Sequence, residues 1–79
     1  MITVLQAAGL SFAIYQHDHP PPHVHVYGDG VAKIAIVGRT GRSEVICAKG
    51  MKDGDVRKAL RVVDEHQTVL IQYWSELHG

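Results

Sequence analysis

The chain has 79 residues, 46% of them apolar, with eight Lys/Arg balanced by eight Asp/Glu. That length predicts a single domain spanning 1–79 with a small core, and zero net charge argues against strong non-specific nucleic-acid binding. No segment approaches the roughly 20 apolar residues of a membrane span, and the start lacks the basic and apolar run of a signal peptide. With one cysteine, Cys47, there is no disulfide framework. A small buried core cysteine in a reducing cytoplasm is the expectation.

Ile2 to Gln6 reads as a first strand, Ala8-Gly9-Leu10 as a turn in which Gly9 takes positive φ, and Ser11 to Gln16 as a second strand. Phe12 and Ile14 alternate toward the core, against Ala13 and Tyr15. Residues 17–25, His-Asp-His-Pro-Pro-Pro-His-Val-His, then gather four of the six histidines and all three prolines. The prolines lack N–H donors and fix φ near −65°, which predicts a stiff polyproline-like rod with His19 extended before it. The rod delivers into His23 to Tyr27, a strand with His23, His25 and Tyr27 on one face and Val24 and Val26 on the other. Alternate residues of a strand are roughly 6.5–7 Å apart at Cα, close enough for both imidazoles to converge on one ion or small anion. Asp18 and His19 are positioned to swing in, with His17 an outer candidate.

Three readings of this cluster stand side by side. Asp18, His19, His23 and His25 would hold a divalent transition metal such as zinc, since neutral imidazole is a frequent ligand. Three protein ligands plus water would make an open site and four a closed one. Without metal, His23 and His25 would act as base and acid of a nuclease or phosphotransfer site, with Lys33 or Arg39 as phosphate clamp. Or the histidines are structural, in a protein that works by binding a partner.

Gly28-Asp29-Gly30 is a hairpin turn whose glycines suit the left-handed region, and Val31 to Val37 is the fourth strand. If Ile34 and Ile36 face inward, Lys33 faces outward, toward the histidine face in a register the sequence does not fix. Gly38 to Arg42 is a turn with no phosphate-loop pattern. Ser43 to Ala48 follows as a fifth strand, with Val45 and Cys47 facing one way and Glu44 and Ile46 the other. Asp53 or Asp55 is placed to cap a helix. Val56, Leu60, Val63, Gln67, Leu70, Trp74 and Leu77 then form one helical stripe. A bend or break falls near His66-Gln67, and His66 and His78 lie off the stripe toward solvent.

Charge is uneven. Residues 39–61 hold seven of the eight Lys/Arg against Glu44, Asp53 and Asp55, a segment at +4, while 62–79 stands at −3. Arg39 and Arg42 at the turn are weak candidates for nucleic-acid contact.

Asp18-His19-Pro20-Pro21-Pro22-His23-Val24-His25-Val26 resembles the Asp-His-x-Pro-Pro-His-Val-His-Val motif of the small bacterial proteins called domain of unknown function 4160. The glycine hairpin around Gly9, the strand Ala32-Lys33-Ile34 and a helical tail carrying Trp74 extend the resemblance. It implies a small α+β domain with no established catalytic residues and a partner protein of the toxin–antitoxin type from the same operon. The pattern predicts an antiparallel sheet of about five strands in hairpins, packed by one or two C-terminal helices. Those helices should cover the Val24/Val26 side and leave the histidines on an open face. A homodimer through an edge strand or the helical stripe is a further expectation.

Overall fold

The computed structural model describes residues 2–78. It is an α+β fold: an antiparallel meander of five strands, in spatial order β1-β2-β3-β4-β5, followed by two helices. The strands are β1 (Ile2–Ala7), β2 (Leu10–Ile14), β3 (His23–Tyr27), β4 (Val31–Ala35) and β5 (Glu44–Lys49); the helices are α1 (Asp53–Glu65) and α2 (Gln67–His78). No described helix is long and apolar enough to cross a membrane.

Alternation along the strands decides the layers. Leu10, Phe12 and Ile14 of β2, Val24 and Val26 of β3, and Ala32 and Ile34 of β4 share one face. With Ile36 they form the core against Ala59, Val62 and Val63 of α1 and Leu70 and Trp74 of α2. The helices thus cover the Val24/Val26 side, as expected. The α1 stripe is rotated from the Val56-Leu60-Val63 line, because the small residues Ala59 and Val62 face the sheet while Leu60 packs at the core margin. The chain breaks at His66, φ −122° and ψ 20°, without Gly or Pro. Side chains hold the break: His66 Nδ1–H donates to the Val62 carbonyl, and the Gln67 amide donates to the carbonyls of Ile36 and Gly41, each at 3.0 Å. Neither Asp53 nor Asp55 caps α1. Lys52 is the cap residue and makes no side-chain bond there, and the two carboxylates lie in the first turn, where the helix dipole favours them.

Four other expectations are corrected, at Gly28 and Gly30, in the proline run, in the β5 alternation and at Cys47. Gly9 has φ +76° as predicted, and Ala8 beside it has φ +55°. Gly28 and Gly30 do not adopt the left-handed region; a Cβ on Gly30 would collide with the backbone of Lys49 and Gly50, so close strand approach is what requires glycine. The proline run is not a straight rod: the Pro20–Pro21 bond is cis and the chain bends there. In β5, Lys33 pairs with Cys47 but Ile34 pairs with Val45, so a bulge at Ile46 breaks the alternation. Val45 stands opposite an inward residue and Cys47 opposite an outward one. Cys47 is accordingly exposed, not a core residue.

Candidate functional site

The outer face of β3 is fixed by pairing on both sides. His25 lies opposite Ala13 of β2 and Lys33 of β4, and His23 opposite Ala35. The register that the sequence left open therefore sets Lys33 directly opposite His25 on the same face. Tyr15 and Tyr27 close the other flank: the Tyr15 ring meets His25 edge-on at 4.4 Å, and the two phenols hydrogen-bond to each other.

Residues 15–22 fold back across this face, so it is only partly open. A turn in which the Asp18 amide donates to the Tyr15 carbonyl aims the Asp18 carboxylate at the strand. Asp18 Oδ2 accepts from His25 Nε2–H at 3.0 Å and lies 3.1 Å from His23 Nε2. One ligand atom from each of Asp18, His23 and His25 falls within 4.8 Å of the others. His19 and His17 are exposed and stand outside this group, though both border the depression beside it.

His23 is not on an open face as the alternation suggested; only 4% of it is exposed. It begins β3, where the proline bend passes over it and the Trp74 ring of α2 comes within 5.2 Å. Its Nδ1 is 2.8 Å from the Pro21 carbonyl. A carbonyl only accepts, so Nδ1 carries the proton, and in the neutral ring Nε2 carries the lone pair. That Nε2 is buried and, although close to Asp18, has no hydrogen-bond partner among the described residues.

Burial holds the His25 imidazole below its ordinary value of 6.5. The nearby charges of His23 and Lys33 act in the same direction, and the Asp18 bond and charge oppose burial without reversing it. The Tyr27 phenol is pushed up to about 12, first by its bond to Tyr15, then by burial and the Asp18 charge. At neutral pH the His25 imidazole is therefore biased to its neutral form, and the Tyr27 phenol keeps its proton. A carboxylate with imidazoles at this spacing suits a divalent cation or proton transfer.

The remaining candidates sit apart. Arg39 is exposed, its amide donating to Glu44 at 3.1 Å, while Arg42 borders a separate groove against α1. The sequence reading missed Tyr15, Trp74 and the Pro21 carbonyl. Tyr15 shares a face with Ala13, but its reach to His25 and Tyr27 depends on the β2–β3 register.

A family model described as a domain of unknown function, DUF4160, matches residues 9–75. No curated protein and no solved structure matches the chain.

Proposed function

The chain belongs to the DUF4160 family, and from that premise we propose that it is a small binding module whose Asp18, His23 and His25 take one divalent transition ion such as zinc. One observation carries this reading. The Pro21 carbonyl directs the His23 lone pair inward, where Nε2 faces the Asp18 carboxylate at 3.1 Å with no proton between them in the neutral ring. Two acceptors facing each other in a buried site repel; a cation between them turns that repulsion into coordination. A ligating histidine typically donates its other N–H to a carbonyl or carboxylate, as His23 does. Three protein ligands would leave a coordination position for water or substrate. Lys33, beside His25, would favour an anionic one.

Partners and place follow the same reading. The exposed edge strand β5, with Val45 and Ile46 uncovered, is where a second copy or an operon partner of the toxin–antitoxin type would add. The exposed thiol of Cys47 suits a reducing cytoplasm.

The test is titration of metal-free protein with Zn²⁺ and Co²⁺, alongside a His23→Ala/His25→Ala control. One ion per chain is expected, absent in the control. Co²⁺ should also quench the fluorescence of Trp74, the only tryptophan, whose ring lies 5.2 Å from His23. Protein that takes up no ion from metal-replete buffer would sink the reading. The His25–Asp18 bond with Lys33 alongside supports a second one, metal-free acid–base chemistry on a phosphodiester. It is favoured if RNA cleavage persists in chelator and disappears in His25→Ala.

A further inference from the structure

Away from the histidines, the loop between β4 and β5 meets α1 across a groove of about 570 Å³ lined by Thr40, Arg42, Ser43, Arg57, Arg61 and Glu65, among others. That volume falls within the roughly 300–1,000 Å³ of small-molecule sites. Three arginines line it from two elements that the sequence separates by 15 residues or more. Among the described residues the ion pairs within 4.0 Å are those of Asp18 with His23 and His25 and of Lys58 with Asp55, so none of the three arginines is in direct contact with a carboxylate.

The loop is held in place. The Ser43 amide donates to Asp64 Oδ1 at 2.7 Å, and the Ser43 hydroxyl donates to the Leu60 carbonyl at 3.1 Å. The Gln67 amide grips the Ile36 and Gly41 carbonyls at the start and middle of the same connection. These bonds set Arg42, the neighbour of Ser43, against the α1 positions Arg57 and Arg61, four residues apart on one helix face. A groove already arranged before its ligand arrives loses less entropy on binding.

The groove is bipolar. Asp64 and Glu65 border it with the arginines, and the Asp64 carboxylate is engaged by the Ser43 amide while Glu65 has no such partner among the described residues. An extended polyanion would meet these acids unfavourably. A phosphate monoester carries about −1.5 to −2 at neutral pH and matches the forked donors of arginine. We propose that this groove binds a small phosphate ester, with Arg42, Arg57 and Arg61 on the phosphate and Glu65 accepting from a hydroxyl or amino group of the same ligand. This site is independent of the histidine group and of any metal there.

The experiment is calorimetric titration with inorganic phosphate, a nucleoside 5′-monophosphate and a single-stranded oligonucleotide lacking a terminal phosphate. Phosphate and the monophosphate should bind, the monophosphate at least tenfold more tightly. R57Q/R61Q should weaken both by more than tenfold without changing the melting temperature, as both side chains are exposed. K52Q/K58Q removes the same charge from outside the groove and should change neither. E65Q should erase the advantage of the monophosphate while leaving phosphate binding in place. Absence of phosphate binding, or an equal loss in K52Q/K58Q, would overturn the proposal. So would an oligonucleotide that binds as well as the monophosphate and better still in E65Q, which would mark a polynucleotide surface instead.

Discussion

One carboxylate oxygen serves two imidazoles in this protein, and the consequences are readable at single residues. His25 is held below 6.5 mainly by burial, while Asp18 pulls it back up. The Asp18→Asn variant loses that opposition, so the His25 titration midpoint, followed by NMR, should drop further below its wild-type position. The linkage has a definite sign. An imidazole depressed on folding binds fewer protons in the native state than in the unfolded chain, so its contribution to stability is complete above pH 6.5 and is lost as pH falls through the depressed value. Urea midpoints measured on metal-free protein should therefore fall as pH drops below about 6.5, and a midpoint flat across that range would contradict the assignment. Tyr27 gives an independent check. Its first support is the Tyr15 bond, so Tyr15→Phe should bring its alkaline absorbance transition down from about 12 toward 10. Much of this geometry was legible in the sequence: the parity of 23, 25 and 27 puts these residues on one face, and Asp18 was within reach. His19 was not separable from Asp18, because the path of a proline-rich loop is not set by any periodicity. Nor was the role of Pro21, whose contribution is a backbone oxygen.

At the scale of elements, the same residue type works through different physics. Gly9 has φ +76° and open space where a Cβ would go, so Gly9→Ala carries only the backbone cost of the left-handed region, about 1–2 kcal/mol. Gly30 has no such φ, but a Cβ there meets the backbone of the β5–α1 connection, which cannot rotate aside as a side chain could. Gly30→Ala should cost about 3 kcal/mol or more. Denaturant unfolding of the two variants should give that order; the reverse would mean that turn conformation, not strand approach, governs the β3–β4 hairpin. A pattern search marks both as turn glycines and cannot tell them apart, because the second depends on a strand about 20 residues away. The helix break has the same character. No Gly or Pro announced it, and Gln67 reads as an interruption of the apolar stripe until its amide is seen on the Ile36 and Gly41 carbonyls. Gln67→Ala should destabilise by about 1–2 kcal/mol, since one of the carbonyls it leaves belongs to a buried residue. The β5 bulge was equally hidden, because strict alternation assumes a regular ladder, and it is the bulge that brings Cys47 to the histidine face.

For the whole molecule, one helical layer covers one sheet face, and the opposite face is left to a loop and a polar cluster. Stability on the order of 4–12 kcal/mol is expected for this length, so what satisfies the buried Asp18–His23 contact bears on the fold as a whole. Binding an ion there should act as a staple between the loop at residues 15–22 and β3. At a free metal concentration 100 times its dissociation constant the gain is about 2.7 kcal/mol. In a domain of this size that is a rise of roughly 10–20 °C in melting temperature. The rise should shrink as pH falls through the depressed His25 value, below 6.5, because an ion displaces the proton that His25 Nε2 shares with Asp18 and must compete with protonation of that ring. A thermal scan series in zinc across pH, repeated on His23→Ala/His25→Ala, measures both effects. A shift that follows zinc in the wild type and vanishes in the double variant ties loop, strand and ion into one unit. Equal shifts in the two proteins would place the ion elsewhere, with the exposed His17, His19 or Cys47 as its ligands, and would leave the Asp18–His23 contact to be satisfied by a proton.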